Sequence, residues 1–205
     1  MDTSFWNQRY NQPEYAYGED PNSFLKEALS KLTPGKILFV AEGEGRNAVF
    51  AAKLGWKVFA FDISEAGRQK AIQLAHKNKV SIAYEVGDAL SFEWPEQHFD
   101  VVALIYSHLP AEKRKQLHFS IPPMLKKNGL VILEGFSLNN LAYSAENHNI
   151  GGPKDPHLLF TLQLIESEFE GLEIQQLEEK LIALSEGKYH RGNACVIRYI
   201  GKSTI

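Results

Sequence analysis

The chain predicts an α/β fold, a mostly parallel sheet with helices on both faces, and three observations carry that expectation. Between about residues 36 and 136, short apolar or β-branched runs alternate with helix-period segments, the rhythm of βαβ units. The run Phe99 to Tyr106 (FDVVALIY) is apolar almost throughout, as suits a central parallel strand covered on both faces. A glycine-rich stretch, Ala41 to Ala48 (AEGEGRNA), lies between a strand and a helix at the sheet edge where such folds gather ligands.

Taken in order, Lys36 to Ala41 reads as a buried first strand and Arg46 to Leu54 as a helix that Gly55 closes in a left-handed cap. Trp56 to Phe61 is the second strand. Ser64 then caps a helix running toward His76, with Ala71, Ile72 and Ala75 spaced to face the sheet. Ser81 to Val86 and Phe99 to Tyr106 are the third and fourth strands. After His108-Leu109-Pro110 a helix turns Leu117 and Ile121 inward, and Pro122-Pro123 should stop or kink it because neither proline donates a backbone hydrogen bond. Gly129 to Phe136 is the fifth strand. From Ser137 to Pro156 the composition shifts to Asn, Gly, Pro and His with little periodicity, a long loop of the kind that forms active-site lids. Leu158 to Phe169 is helical. Strands near Leu172 to Leu184 and Ala194 to Ile200, joined through Ser185 to Arg191, complete an antiparallel pair.

The composition excludes several functions. With 205 residues, 44% hydrophobic and 23% charged, the chain suits one globular domain, with residues 1–35 as an aromatic N-terminal cap segment and 137–157 as the lid-like loop. A formal net charge of −3 and no basic run argue against a nucleic-acid partner. No stretch approaches a membrane span, and the first ten residues do not read as a secretory signal. A lone cysteine, Cys195, suits a reducing cytoplasm, and the histidines show no metal-ligand spacing. A monomer or homodimer is expected. No Gly-x-Ser-x-Gly elbow marks a hydrolase.

In the loop, Gly43 and Gly45 let backbone amides approach a ligand while the following helix offers its free N–H groups. The next strand ends in Asp62, about 20 residues on, where a carboxylate can accept both ribose hydroxyls. Asp88, after the third strand, adds a carboxylate able to accept from an adenine amino group. Gly43, Gly45 and Ala48 also fit the dinucleotide fingerprint, so an NAD(P)-dependent oxidoreductase is an alternative. That alternative is short of chain, with only about 70 residues beyond the fifth strand for a second mononucleotide half and a substrate domain.

These residues resemble the class I methyltransferases, and among them the small tellurite-resistance-type and thiopurine-type enzymes. The likeness runs through Ile37 to Ser64, Val86 to Phe92, Phe99 to Pro110, Leu125 to Phe136, the N-terminal FWNQRY and YGEDPN, and the closing GKYHRG. The resemblance implies a seven-stranded sheet of Rossmann-like type with an antiparallel last strand, and S-adenosylmethionine as cofactor with S-adenosylhomocysteine as product. It places Tyr17, Ala41, Glu42, Gly43, Gly45, Arg46, Asn47, Asp62, Ile63, Ser64, Asp88, Ala89, Leu90, Ile105, Tyr106 and Leu109 around that cofactor. Family members commonly carry an acidic residue and a first glycine where this chain has Phe39 and Ala41, so Glu42 is the candidate partner of the cofactor's ammonium.

Methyl transfer from a sulfonium is an in-line displacement that depends mainly on alignment, worth about 7–11 kcal/mol. A thiolate or metalloid acceptor, such as a metalloid oxyanion, arrives nucleophilic, whereas a hydroxyl or protonated amine needs a general base. His108, just beyond the fourth strand, is the expected base, by its position and its intrinsic pKa. His190 and Arg191, between the last two strands, read as solvated hairpin residues or as an overhang of the site, Trp6, Tyr10, Tyr15 and Tyr17 as an aromatic cover, and His157 and Tyr143 as weaker lid residues. A non-catalytic S-adenosylmethionine-binding protein remains a further alternative, since fold alone does not establish catalysis.

Overall fold

The computed structural model describes residues 2–204, which build one sheet of seven strands in the order β3-β2-β1-β4-β5-β7-β6. The strands are β1 (Lys36–Val40), β2 (Lys57–Asp62), β3 (Ala83–Val86), β4 (Phe99–Ile105), β5 (Leu125–Phe136), β6 (Glu173–Glu186) and β7 (His190–Lys202). The first five pair in parallel; β7 enters between β5 and β6, antiparallel to both. That is the sheet the resemblance implies, with an antiparallel last strand, rather than the all-parallel order of a dinucleotide fold.

The helices are α1 (Thr3–Tyr10), α2 (Ser23–Leu29), α3 (Arg46–Lys53), α4 (Glu65–Lys77), α5 (Ala111–Met124), α6 (Asn140–Glu146) and α7 (Leu162–Glu168). Alternation along the strands divides the core into two layers. Leu38, Val40, Phe61, Val102 and Leu104 pack toward Leu117 and Ile121 of α5 and Ile165 of α7. Ile37, Phe39, Val58, Val101 and Ala103 pack toward Leu25 of α2, Ala48 of α3 and Ala71 of α4. On α4, Ala71, Leu74 and Ala75 are buried, but Ile72 is on the solvent side, contrary to its expected inward placement.

Further expectations are corrected. Helix α5 continues through Pro122 and Pro123 to Met124, and β5 begins at Leu125, earlier than Gly129. The stretch after Ser137 is not a bare loop, because it holds α6 and a 3-10 turn, His148–Ile150. Buried Asn140 accepts from Cys195 N–H at 3.1 Å and ties α6 to β7, so a residue read as a loop former is a fastening. Helix α7 starts at Leu162 rather than Leu158, since Phe160 bridges to Ser137 and the Thr161 hydroxyl caps Leu164 N–H. Both final strands are longer than expected, leaving only residues 187–189 as the turn.

Register brings the site together. Val40 of β1 lies opposite Phe61 of β2 and Leu104 of β4, so the loops leaving these three central strands converge on one edge of the sheet.

Candidate active site

A cavity of about 390 Å³ opens at that edge. Its floor is Ala41 and Glu42 after β1, Asp62 and Ile63 after β2, and Ile105 to Leu109 after β4. Asp88 and Ala89 form one side, and Tyr17, Arg46 and Asn47 another. Helix α1 covers it with Phe5, Trp6, Arg9 and Tyr10, and residues 151–154 close the opposite rim. The cover is pinned: Asn7 Oδ1 accepts from Ser64 Oγ at 2.7 Å and from Ala66 N–H at 3.1 Å.

Gly43, Gly45, Ser64 and Leu90 were expected around the cofactor and stand outside the cavity wall. Gly43 N–H donates to Asp62 Oδ2 at 3.0 Å, and a Cβ there would stand 2.6 Å from the Tyr10 hydroxyl oxygen. Gly45, with φ +85°, lets α3 sit against Ala71 of α4. Ser64 caps Gly67 N–H at 3.0 Å, and Leu90 donates its N–H to Asp88 Oδ1 at 3.0 Å. The loop therefore turns amides inward onto its own carboxylates. Glu42 Oε1 accepts Ala48 N–H at 2.7 Å, so Glu42 caps α3 from inside the protein. The remaining loop residues hold the N-terminal segment: Glu44 accepts Ala16 N–H at 2.8 Å, and Asn47 Oδ1 accepts Asn22 N–H at 2.9 Å.

The unusual residues at 39 and 41 have structural consequences. Ala41 takes φ +53°, the left-handed region that favours glycine, and Phe39 is sealed in the core, so no acid can reach the cavity from β1 itself. Glu42 reaches it instead. Burial pushes the Glu42 carboxyl up to about 7, against the opposing hydrogen bond from Ala48. Burial likewise pushes Asp62 up to about 6, against N–H donors from Ser64 and Gly43. Neither carboxylate has an ion-pair partner among the described residues. Asp88, nearer the surface, is paired with Lys113, and hydrogen bonds from Lys113 and Leu90 hold its pKa below the ordinary value.

His108 stands at the wall but has no nitrogen to spare. Its Nδ1 donates to Leu158 O at 2.7 Å and its Nε2 accepts Phe136 N–H at 3.0 Å, which fixes the neutral tautomer. Burial lowers its pKa to about 4. The base expected at His108 is thus corrected to a brace between β5 and the lid segment. His108→Ala would leave a buried donor and acceptor unpaired and should cost about 2–4 kcal/mol, read by denaturant unfolding. Unchanged stability would contradict the brace.

His190, by contrast, comes to the wall through the β6–β7 hairpin. Its Nδ1 lies 3.0 Å from Glu186 Oε2, which is also 2.9 Å from Arg46 Nη2. Sequence reading missed this pair because Glu186 and His190 become neighbours only in the hairpin register. The polar network continues from Tyr106 Oη to Glu134 at 3.0 Å and from Glu134 to Arg198 Nε at 2.6 Å. Tyr143 and His157 do not line the cavity. No group of metal-binding side chains occurs among the described residues, and no helix among them is long and apolar enough to cross a membrane.

Residues 37–129 match the family described as "Methyltransferase domain". A ribosomal protein L11 methyltransferase from Thermosipho melanesiensis is 32% identical over 115 residues, which are 56% of this chain and 42% of that protein. The chain thus spans about two fifths of that relative's length. Among solved structures, a protein from work on the conversion of a disulfide bond into a thioacetal group during echinomycin biosynthesis superposes with TM-score 0.76. It is 19% identical, over 98% of this chain and 92% of that one. TehB from Haemophilus influenzae superposes with TM-score 0.70 at 14% identity, over 98% of this chain and 66% of that one. At these identities the two structures share the fold.

Proposed function

We propose that the chain, whose residues 37–129 match a methyltransferase domain, transfers a methyl group from S-adenosylmethionine to a small-molecule acceptor, releasing S-adenosylhomocysteine. The observation that carries this reading is the pair of buried carboxylates, Glu42 and Asp62, at the ends of adjacent strands on one cavity, neither in an ion pair among the described residues. A group bearing an ammonium and two vicinal hydroxyls satisfies both. Ser107 Oγ, sealed at the same wall without a hydrogen-bond partner, is a further polar atom for such a ligand.

When bound, the cofactor supplies a methyl group made electrophilic by its sulfonium. The chain's residues do the rest by placement. Asp62 accepts from the ribose, Glu42 receives the ammonium, and Ile63, Asp88 and Ala89 flank the adenine. Ile105, Tyr106 and Leu109 at the end of β4 set the floor near the reacting centre, and α1 excludes water above it. Tyr17, Arg46 and Asn47 complete the wall on the side of the amino-acid moiety. The enclosed cavity, capped by α1 and residues 151–154, suits a small acceptor, and the net charge of −3 does not favour a nucleic acid.

Thermal unfolding tests the cofactor. S-adenosylhomocysteine at about one hundred times its Kd should add about 2.7 kcal/mol to stability, whereas NAD and NADP should add nothing. Stabilisation by a nicotinamide dinucleotide alone would refute the assignment. A protein that binds the cofactor but releases no methyl group to any acceptor would be a binding protein.

A further inference from the structure

Three histidines line the cavity, and their hydrogen bonds separate them. Both nitrogens of His108 are committed to backbone groups, and His148 is exposed at the mouth. His190 alone combines burial, a carboxylate on one nitrogen and no protein partner on the other. We propose that His190 is the general base of the reaction, oriented by Glu186, and that the acceptor is accordingly an aromatic hydroxyl compound rather than a thiol or metalloid. The proposal rests on the methyl-donor reading above.

The dyad is built by the fold. Glu186 and His190 face each other across the two strands at the hairpin, whose turn is fixed against the N-terminal segment. Lys188 N–H donates to Ala16 O at 3.0 Å, and Gly187, with φ +57°, leaves no room for a Cβ, which would stand 2.5 Å from Ala16 O. Glu186 is held by three donors: His190, Arg46 and Asn22 Nδ2, the last at 3.3 Å from Oε1. Burial works against its charge, but His190 and Arg46 outweigh that and hold the carboxyl at about 2. An ionised Glu186 can only accept, so His190 carries its proton on Nδ1 and presents a lone pair at Nε2.

The groups facing His190 keep it neutral. Burial pushes its pKa below the ordinary value, with Arg46 and Arg9 acting in the same direction and Glu186 opposing. Tyr17 and Tyr106, also against the ring, stay protonated, since burial raises both. Nε2 lies along Gly151, where an added Cβ would come within 3.5 Å of it. The ring centroids of Tyr17, Tyr106 and Phe136 are 4.5, 4.6 and 5.2 Å from that of His190. Such a wall receives a flat aromatic molecule whose hydroxyl reaches Nε2. A thiolate or metalloid oxyanion would gain nothing from a neutral base in this place.

The step balances without another reactant. As the acceptor oxygen bonds to the methyl carbon, the carbon–sulfur pair stays with sulfur as a thioether, and the hydroxyl proton passes to His190 Nε2. The resulting imidazolium faces the Glu186 carboxylate and returns its proton to water.

The test uses the full chain, with catechol and 4-nitrophenol as probes. His190→Gln should keep S-adenosylhomocysteine affinity within about threefold by calorimetry and lower kcat/KM for catechol by about 10²–10⁴-fold. At about pH 8, where 4-nitrophenol is largely ionised, the loss should be at least tenfold smaller for that phenol. Independently of turnover, ¹⁵N-histidine spectra at neutral pH should show His190 as the Nδ1-protonated tautomer, with Nε2 shifting when catechol joins the S-adenosylhomocysteine complex. Equal turnover by His190→Gln, a proton on Nε2, or no transfer to either phenol by the wild type overturns the base assignment while the donor reading stands. Failure of the wild type to bind S-adenosylhomocysteine overturns the donor reading itself. The spectra need no variant, so the assignment can fail even if His190→Gln does not fold.

Discussion

Gly45→Ala is expected to destabilise the protein by about 2–5 kcal/mol, through two costs at one atom. The residue caps α3 at φ +85°, where a side chain costs about 1–2 kcal/mol. The new Cβ would also stand 2.6 Å from Ala71 Cβ and 2.8 Å from Ala71 Cα, a collision with the backbone of α4 that no rotamer relieves. Forcing such a contact adds about 1–3 kcal/mol. For a chain of this length the melting temperature should fall by about 10 °C, which calorimetry reads directly. Because α3 and α4 separate at the point where α1 is pinned, the variant should also bind S-adenosylhomocysteine more weakly. A stability within about 0.5 kcal/mol of wild type would mean that the helix pair yields without cost. The glycine would then have another reason.

That glycine shows how far the sequence was legible. The alternation of strands and helices could be read because each central strand is an apolar run and each helix has its own signal; Ser64, for instance, caps α4 as expected. Asp62, Asp88 and the loop after β4 come to the cavity because a parallel sheet carries its strand ends to one edge. The loop's internal accounting was not legible. A glycine that frees an amide for a ligand and one that admits a neighbouring helix have the same letter, and only the distance from Gly45 to Ala71 separates them. What separates His108 from His190 was hidden for a related reason. Position along the chain put His108 at the strand end, but what each ring nitrogen can do is set by Leu158, Phe136 and Glu186, which are distant in sequence or paired only by hairpin register. The prolines of α5 misled in the opposite direction, since the helix ends at Met124, one residue after them, and only the two bonds of their missing N–H groups are lost.

Affinity for S-adenosylhomocysteine should rise steeply with pH between about 5 and 8, because Glu42 and Asp62 are poised to release protons to solvent when the ligand binds. Burial raises both pKa values, to about 7 and about 6, above the ordinary carboxylate value near 4. A raised carboxyl favours the protonated folded form. The unliganded protein therefore gains stability from these groups below about pH 4 and loses it as pH rises through 6 and 7. A ligand ammonium beside Glu42 and hydroxyl donors on Asp62 reverse the preference, since both favour the ionised carboxylate. Binding in this range must then release protons, and each proton released makes Kd fall up to tenfold per pH unit. Calorimetry in buffers of different protonation enthalpy would count them. Glu42→Gln should weaken binding and remove the upper part of the rise, leaving the part centred near 6. Adenosine, which has the ribose but no ammonium, should show only that lower part with the wild-type protein. A flat or falling affinity from pH 5 to 8 would mean that the two carboxylates do not meet the ligand. If adenosine and S-adenosylhomocysteine shared one pH profile, Glu42 would be the cap of α3 and nothing more.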